Sequence, residues 1–198
     1  MIPRHLQIAV VVLLVAAVIM AFYAHRMRGR ASETAVAVDH RPVPPPVTGP
    51  SEQSTLYVAY DDTGVLRPQL ARIPLPAGRQ QRAQELLRAL LNVYLDKNSP
   101  HPVPPGAEIR EVYIVDPGLA VIDLNSVFAD GHRSGVLVEE LTVTSMVETL
   151  SGNIPGINRV KILVDGKERD TLAGHADLAD FYDTGAVARN MIQLQGLP

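Results

Sequence analysis

The chain has 198 residues, and its 18 Lys and Arg against 21 Asp and Glu give a formal net charge of −3; from Ser51 onward the balance is 13 against 19, or −6. That acidic balance excludes general nucleic-acid binding, because neutralising phosphates takes clustered cations. The chain contains no cysteine, which excludes a disulfide framework, thiolate metal ligation and a cysteine-linked lipid anchor.

Residues 1–5 are a short N-terminal tail. Residues 6–24 read LQIAVVVLLVAAVIMAFYA, with Gln7 the one strongly polar side chain. As a helix this run spans about 28 Å, close to the ~30 Å hydrocarbon core of a bilayer. A cleaved signal peptide fits less well. Its apolar stretch would be shorter, Phe22 would occupy a position that wants a small residue, and Ala35-Val36-Ala37 lies too far downstream. Residues 6–24 are therefore expected to form an uncleaved single-pass transmembrane anchor that meets membrane lipid. Arg26, Arg28 and Arg30 outnumber Arg4 at the flanks, and the positive-inside rule taken alone would keep the C-terminal flank in the cytoplasm.

Residues 25–54 form a linker, basic at first and then Pro-rich. Arg41 to Val47 reads RPVPPPV, which excludes a helix and favours polyproline II at about 3.1 Å per residue. Its place between an anchor and a domain makes it a semi-rigid spacer rather than a ligand for an SH3-like module.

A globular domain is expected over residues 55–184. Thr55–Tyr60 alternates like a strand, Asp61-Asp62-Thr63-Gly64 is turn chemistry, and Val65–Ile73 returns as an edge strand because it contains Pro68. Arg79–Asp96 carries Ala83, Leu86, Leu87, Leu90, Leu91 and Tyr94 at helical spacing. Glu108–Val115 and Leu119–Leu124 form a hairpin around Asp116-Pro117-Gly118. The second of these strands is apolar on both faces apart from Asp123 and so reads as central. Ser134 is placed to cap a helix from Gly135 to Leu150, whose buried stripe is Val136, Val143, Met146, Val147 and Leu150. Ser151-Gly152 and Pro155 are read as its end. Ile157–Val164 and Lys167–Leu172 form a last hairpin around Asp165-Gly166. Residues 185–198 are a C-terminal tail, with a short helix over Ala186–Leu194. The order ββ-α-ββ-α-ββ predicts an α+β fold: a mainly antiparallel sheet with two principal helices packed on one face.

The segment VKILVDGKERDTLAGHADL, Val160 to Leu178, resembles the closing signature of the GerMN domain, a sporulation and spore-germination family. Leu56-Tyr57-Val58 resembles the opening strand of that family. Pro104-Pro105-Gly106-Ala107 leading to Val121-Ile122-Asp123-Leu124-Asn125-Ser126-Val127-Phe128 resembles its middle hairpin. The resemblance runs from about Thr55 to Asp183. It implies a domain outside the bacterial cytoplasmic membrane, against the arginine bias, with a part in envelope assemblies and no catalysis.

Several polar residues are candidates for chemistry. His175 and Asp177 with His132 and Asp130 are the candidate metal or acid–base set, but no HExxH or comparable spacing accompanies them, and a turn role for Gly174-His175 is preferred. Ser134 or Ser126 with His175 and Asp123 is the candidate hydrolytic set. Neither serine sits in a GxSxG or SxxK motif, so a cap and a turn residue account for them. Gly131-His132-Arg133-Ser134-Gly135 is a weak anion cradle at a helix start. Arg79, Arg82 and Arg88 are read as a solvated helix face. No catalytic, cofactor or metal residue is assigned. The function expected is an anchored, non-catalytic scaffold domain with protein partners in the envelope. The alternatives are a small-ligand or cell-wall glycan-binding module and a hydrolase. A pocket with convergent polar groups would favour the alternatives, and a flat apolar or strand-edge surface the scaffold.

Overall fold

The computed structural model describes residues 50–74, 76–115 and 117–195. The anchor expected at 6–24 and the linker up to residue 49 lie outside the described residues. Within them the fold is α+β, as expected, with ten elements. These are β1 (Ser51–Tyr60), β2 (Val65–Pro74), α1 (Arg79–Leu95), β3 (Ile109–Val115), β4 (Leu119–Leu124), α2 (Ser126–Asp130), α3 (Val136–Asn153), β5 (Arg159–Val164), β6 (Tyr182–Asp183) and α4 (Thr184–Gln195).

The strands divide into an antiparallel ribbon, β1-β2, and a four-stranded sheet in the order β3-β4-β5-β6. β4 is central, as its two apolar faces predict. It pairs antiparallel with β3 and parallel with β5. That parallel pairing was not expected. It follows from the α2–α3 crossover, which carries the chain back to the same end of the sheet. α1 packs against β3 and β1, and α3 against β1 and α1. One apolar cluster joins both sheets and the helices; Leu86, Leu87, Val112, Ile122, Leu150 and Ile162 are all fully enclosed in it.

β1 starts at Ser51, inside the stretch read as linker. Ser51 to Ser54 pair with Pro74 to Ala71, and backbone pairing tolerates the polar side chains. The outer edge of β1 is closed by side chains. Thr55 N–H donates to Asn153 Oδ1, Tyr57 N–H to Thr149 Oγ1, and Ala59 N–H to Tyr94 Oη, at 3.0–3.2 Å. Pro68 stands opposite Tyr57, whose N–H points away from β2. The missing proline N–H therefore costs no ladder bond.

The predicted apolar stripe of α1 is buried from Ala83 to Tyr94. α3 runs one turn past the expected stop. Asn153 holds that turn to β1, donating from Nδ2 to the Thr55 carbonyl at 2.7 Å, and Gly152 leaves room for the Tyr57 ring. Val136, expected in the buried stripe, is exposed, because it lies in the first turn, short of the core. α2 was missed. Asn125 caps it, accepting from Phe128 N–H at 2.9 Å, and Phe128 fills the core.

The last hairpin is half realised. Asp165 (φ 51) and Gly166 (φ 71) make the tight turn, but only Lys167 pairs back, to Val164. The expected strand Lys167–Leu172 does not form. The edge of β5 is taken instead by Tyr182-Asp183, while residues 170–178 fold on themselves through Leu178 N–H to the Asp170 carbonyl and Leu172 N–H to the Ala176 carbonyl.

Side-by-side residues share a face of the sheet. Tyr113, Val121 and Lys161 therefore lie in one row, and Val115, Leu119 and Arg159 in the next, on the face away from the core. Phe181 covers part of it, with its ring 5.4 Å from the Arg159 guanidinium and 5.6 Å from Lys161 Nζ. Tyr113, Val115 and Phe181 are exposed.

Candidate functional site

The chemistry-bearing residues gather where the first half of α3 meets three loops. Glu139, in the first turn of α3, is wholly buried. Its Oε2 accepts from the backbone N–H groups of Ala173, His175 and Ala176 at 2.9–3.0 Å. Its Oε1 accepts from Gly135 N–H at 3.1 Å and lies 2.9 Å from His175 Nδ1. Gly174, at φ +121, lets the loop turn its amides toward one oxygen. Burial alone pushes this carboxyl up. The hydrogen bonds from the His175 ring and from the His175, Ala173 and Gly135 amides outweigh it and hold the group at about 2.

This arrangement revises the roles expected for Ser134 and for the glycine-bounded loop. Ser134 is not the cap of α3. Gly135 occupies that position without a side-chain bond, and Glu139 reaches back to its N–H. The anion cradle at the helix start is thus filled by the chain's own carboxylate. Ser134 Oγ lies 3.3 Å from His175 Nδ1, the same nitrogen that faces Glu139. A hydrolytic relay needs the serine on one ring nitrogen and the acid on the other, so this trio is not arranged as one.

The other candidates separate. Asp130 pairs with Arg169 at 2.7 Å. Asp177 Oδ1 accepts from Ala179 N–H, and its carbonyl accepts from Tyr182 Oη. Asp123 accepts from Gly166 N–H at 2.7 Å and lies 3.8 Å from Arg110, so it docks the 165–166 turn onto β4. Burial raises its pKa, against the Gly166 bond and Arg110. Ser126 opens α2, and among the described residues no hydrogen bond joins it to His175 or Asp123. Among the described residues no three His, Cys, Asp or Glu side chains are grouped to hold a metal. Nor is the basic side of α1 merely solvated. Arg82 forks onto Glu52 at 2.9 and 3.1 Å, Arg88 meets Glu85 at 2.5 Å, and Arg79 donates to the Pro155 carbonyl.

Beside Glu139 runs a second polar chain. His101 is fully buried; its Nδ1 is 2.5 Å from Asp61 Oδ1 and its Nε2 2.6 Å from Thr142 Oγ1. His132 Nε2 is 2.7 Å from the same hydroxyl, and its Nδ1 is 2.8 Å from the Arg133 carbonyl. Arg133 Nη2 lies 3.0 Å from Asp61 Oδ2. Burial lowers both imidazoles below the ordinary value, partly offset by Asp61 at His101 and by the Arg133 carbonyl at His132. Of these residues, reasoning from sequence singled out His132 and Arg133, in the glycine-bounded loop, and placed Asp61 only in a turn. The available sign of Glu139 was its place in the first turn of a helix, behind the apolar Val136-Leu137-Val138, but Glu140 beside it shares that sign. Nothing comparable marked His101, Asp61 or Thr142.

The model of the Germane family, described as sporulation and spore germination, matches residues 55–170, more than half of the chain. The chain belongs to this family. The match begins within β1 and ends at Asp170, so the loop held by Glu139 lies just beyond it. Among solved structures, the Germane domain is similar to the tandem GerMN domains of the sporulation protein GerM from Bacillus subtilis, at 20% identity and a TM-score of 0.49, covering 67% of this chain and 46% of that one. It is similar to the first GerMN domain of the same protein, at 20% identity and TM-score 0.46, covering 65% of this chain and 94% of that one. A Clostridium perfringens structure provisionally described as a lipoprotein is similar at 22% identity and TM-score 0.48, covering 75% of this chain and 97% of that one. A search of curated proteins returned no match.

Proposed function

We propose that this Germane domain is a non-catalytic interaction module of the bacterial envelope. Residues 6–24 anchor it to the cytoplasmic membrane, and the domain stands on the extracytoplasmic side. The observation that carries the non-catalytic reading is the direction of the polar groups. Glu139, the carboxylate beside His175, turns its oxygens to the chain's own amides and to His175, and Ser134 shares the ring nitrogen that Glu139 faces. The face of the four-stranded sheet away from the core supports the interaction reading, since Tyr113, Val115 and Phe181 stand exposed there among the described residues. The family's link to sporulation and germination supports an envelope location, and the apolar run at 6–24 supports a helical anchor. Membrane lipid is then one partner, through that helix. Envelope proteins are the others, and nucleic acid is not among them.

The test is photo-crosslinking in cells, with a crosslinking residue at Tyr113, Val115 or Phe181 of the full chain and Asp62 as control. The expected outcome is a discrete adduct with one envelope protein from the sheet face, absent from position 62 and lost in Tyr113→Arg. Adducts to glycan strands instead would support the wall-binding alternative. Loss of biological function in Ser134→Ala or His175→Ala at an unchanged melting temperature would overturn the non-catalytic reading.

A further inference from the structure

The chain Asp61–His101–Thr142–His132 can be counted proton by proton. A carbonyl only accepts, so His132 Nδ1, 2.8 Å from the Arg133 carbonyl, carries a hydrogen. A carboxylate only accepts, so His101 Nδ1, 2.5 Å from Asp61, carries one as well. In a neutral ring the other nitrogen is then an acceptor. Both acceptors, the two Nε2 atoms, face Thr142 Oγ1 at 2.6 and 2.7 Å. Thr142 has one hydroxyl hydrogen, and the Val138 carbonyl at 3.0 Å competes for it as well. With both rings neutral, at least one buried nitrogen has no proton to share.

We propose that Asp61, His101, Thr142 and His132 form a one-proton switch: the unit takes up a single proton, shared between the two rings across Thr142, and this proton completes its hydrogen bonds. With it, one Nε2–H donates to Thr142 Oγ1 and the hydroxyl donates to the other ring. A second proton would also find a bond, because the hydroxyl has two lone pairs. It would, however, set two imidazolium rings 6.0 Å apart in buried surroundings, with Arg133 adding a third positive charge. The groups facing the pair are Asp61 from the β1–β2 turn, Tyr94 from α1, Phe128 from α2, Arg133 from the 131–135 loop, and Glu139 with Thr142 from α3. Asp61 and Glu139 favour protonation, burial and Arg133 oppose it, and the charged partner ring opposes the second proton in addition. The switch joins the β1–β2 turn, the loop after α1 and the loop before α3. Losing the proton loosens those three segments against one another, next to the loop that Glu139 holds.

The experiment is nitrogen NMR of the full chain in detergent micelles with 15N-labelled histidine, the two rings being assigned through their contacts with Tyr94 and Phe128. At pH 8 both rings are expected as Nδ1–H tautomers. As pH falls below the ordinary imidazole value of ~6.5, both are expected to shift along one curve that totals one proton. Thr142→Val should split that curve into two unlike ones, and Thr142→Ser, which keeps the hydroxyl, should restore it. An Nε2–H tautomer of either ring at pH 8, two independent protonations in the unaltered chain, or no protonation down to pH 4 with the fold intact would each overturn the switch. If Thr142→Val does not fold, the wild-type curve and Thr142→Ser decide the matter alone.

Discussion

Replacing Glu139 by glutamine tests the centre of the site with a nearly isosteric change. The carboxylate accepts three amides of the 173–176 loop on Oε2, and on Oε1 it accepts Gly135 N–H and faces His175. An amide has one oxygen. If that oxygen keeps the loop, the NH2 group is turned on Gly135 N–H, donor against donor. An orphaned buried donor costs about 1–3 kcal/mol, and the loss of charge assistance in the remaining bonds adds to it. For a domain of this size the orphaned donor alone lowers the melting temperature by roughly 2–12 °C. Thermal unfolding of the full chain in micelles measures it, and hydrogen exchange at Ala173, His175 and Ala176 localises it. The pH dependence gives a second reading. The folded pKa of Glu139, about 2, lies below the unfolded value of ~4.3. Its contribution is therefore fully present above ~4.3 and is lost as pH falls toward about 2. In Glu139→Gln that acid-side loss should disappear. A melting temperature within 1 °C of wild type, with unchanged protection of the three amides, would refute the reasoning.

Gly166→Val should destabilise by about 1–2 kcal/mol or more, since φ +71 is costly for any L side chain and worse for a β-branched one; urea unfolding reads this directly. Tyr94→Phe removes the acceptor for Ala59 N–H and should cost about 1–3 kcal/mol, with faster exchange at Ala59. Burial pushes the Tyr94 phenol up to about 12, so the loss should not vary with pH between 6 and 9. Ser134→Ala should change stability by less than about 0.5 kcal/mol, because the residue is not a cap; a loss above 1 kcal/mol in the same unfolding assay would contradict that assignment. Deleting residues 1–30 should move the protein from the membrane to the soluble fraction with its melting transition intact, and a reporter fused after Pro198 should register outside the cytoplasm.

Much of the scaffold was legible because its signals are local. The stripe from Ala83 to Tyr94 has one period and one face, and Asp165-Gly166 has one turn type that suits it. The misreadings came where a distant partner decides. Ser151-Gly152 reads as a helix end until Asn153 finds Thr55. Lys167–Leu172 reads as a strand until Glu139 gathers the amides beyond it and Tyr182 takes the edge of β5. The site was less legible still. Asp61, His101 and Thr142 lie far apart in the chain, and none sits in a motif. Only the fold brings one hydroxyl between two imidazoles.

The closed outer edge of β1 also bears on how the chain is made. Its three blocking groups come from Tyr94, Thr149 and Asn153, up to 98 residues downstream of the amides they cover. At synthesis rates of ~5–20 residues per second, that strand waits seconds before its seal exists. During that interval the hairpin β1-β2 presents an open row of backbone donors, the kind of surface that recruits foreign strands. Whatever handles the nascent chain must therefore shield its beginning until α3 has emerged and docked.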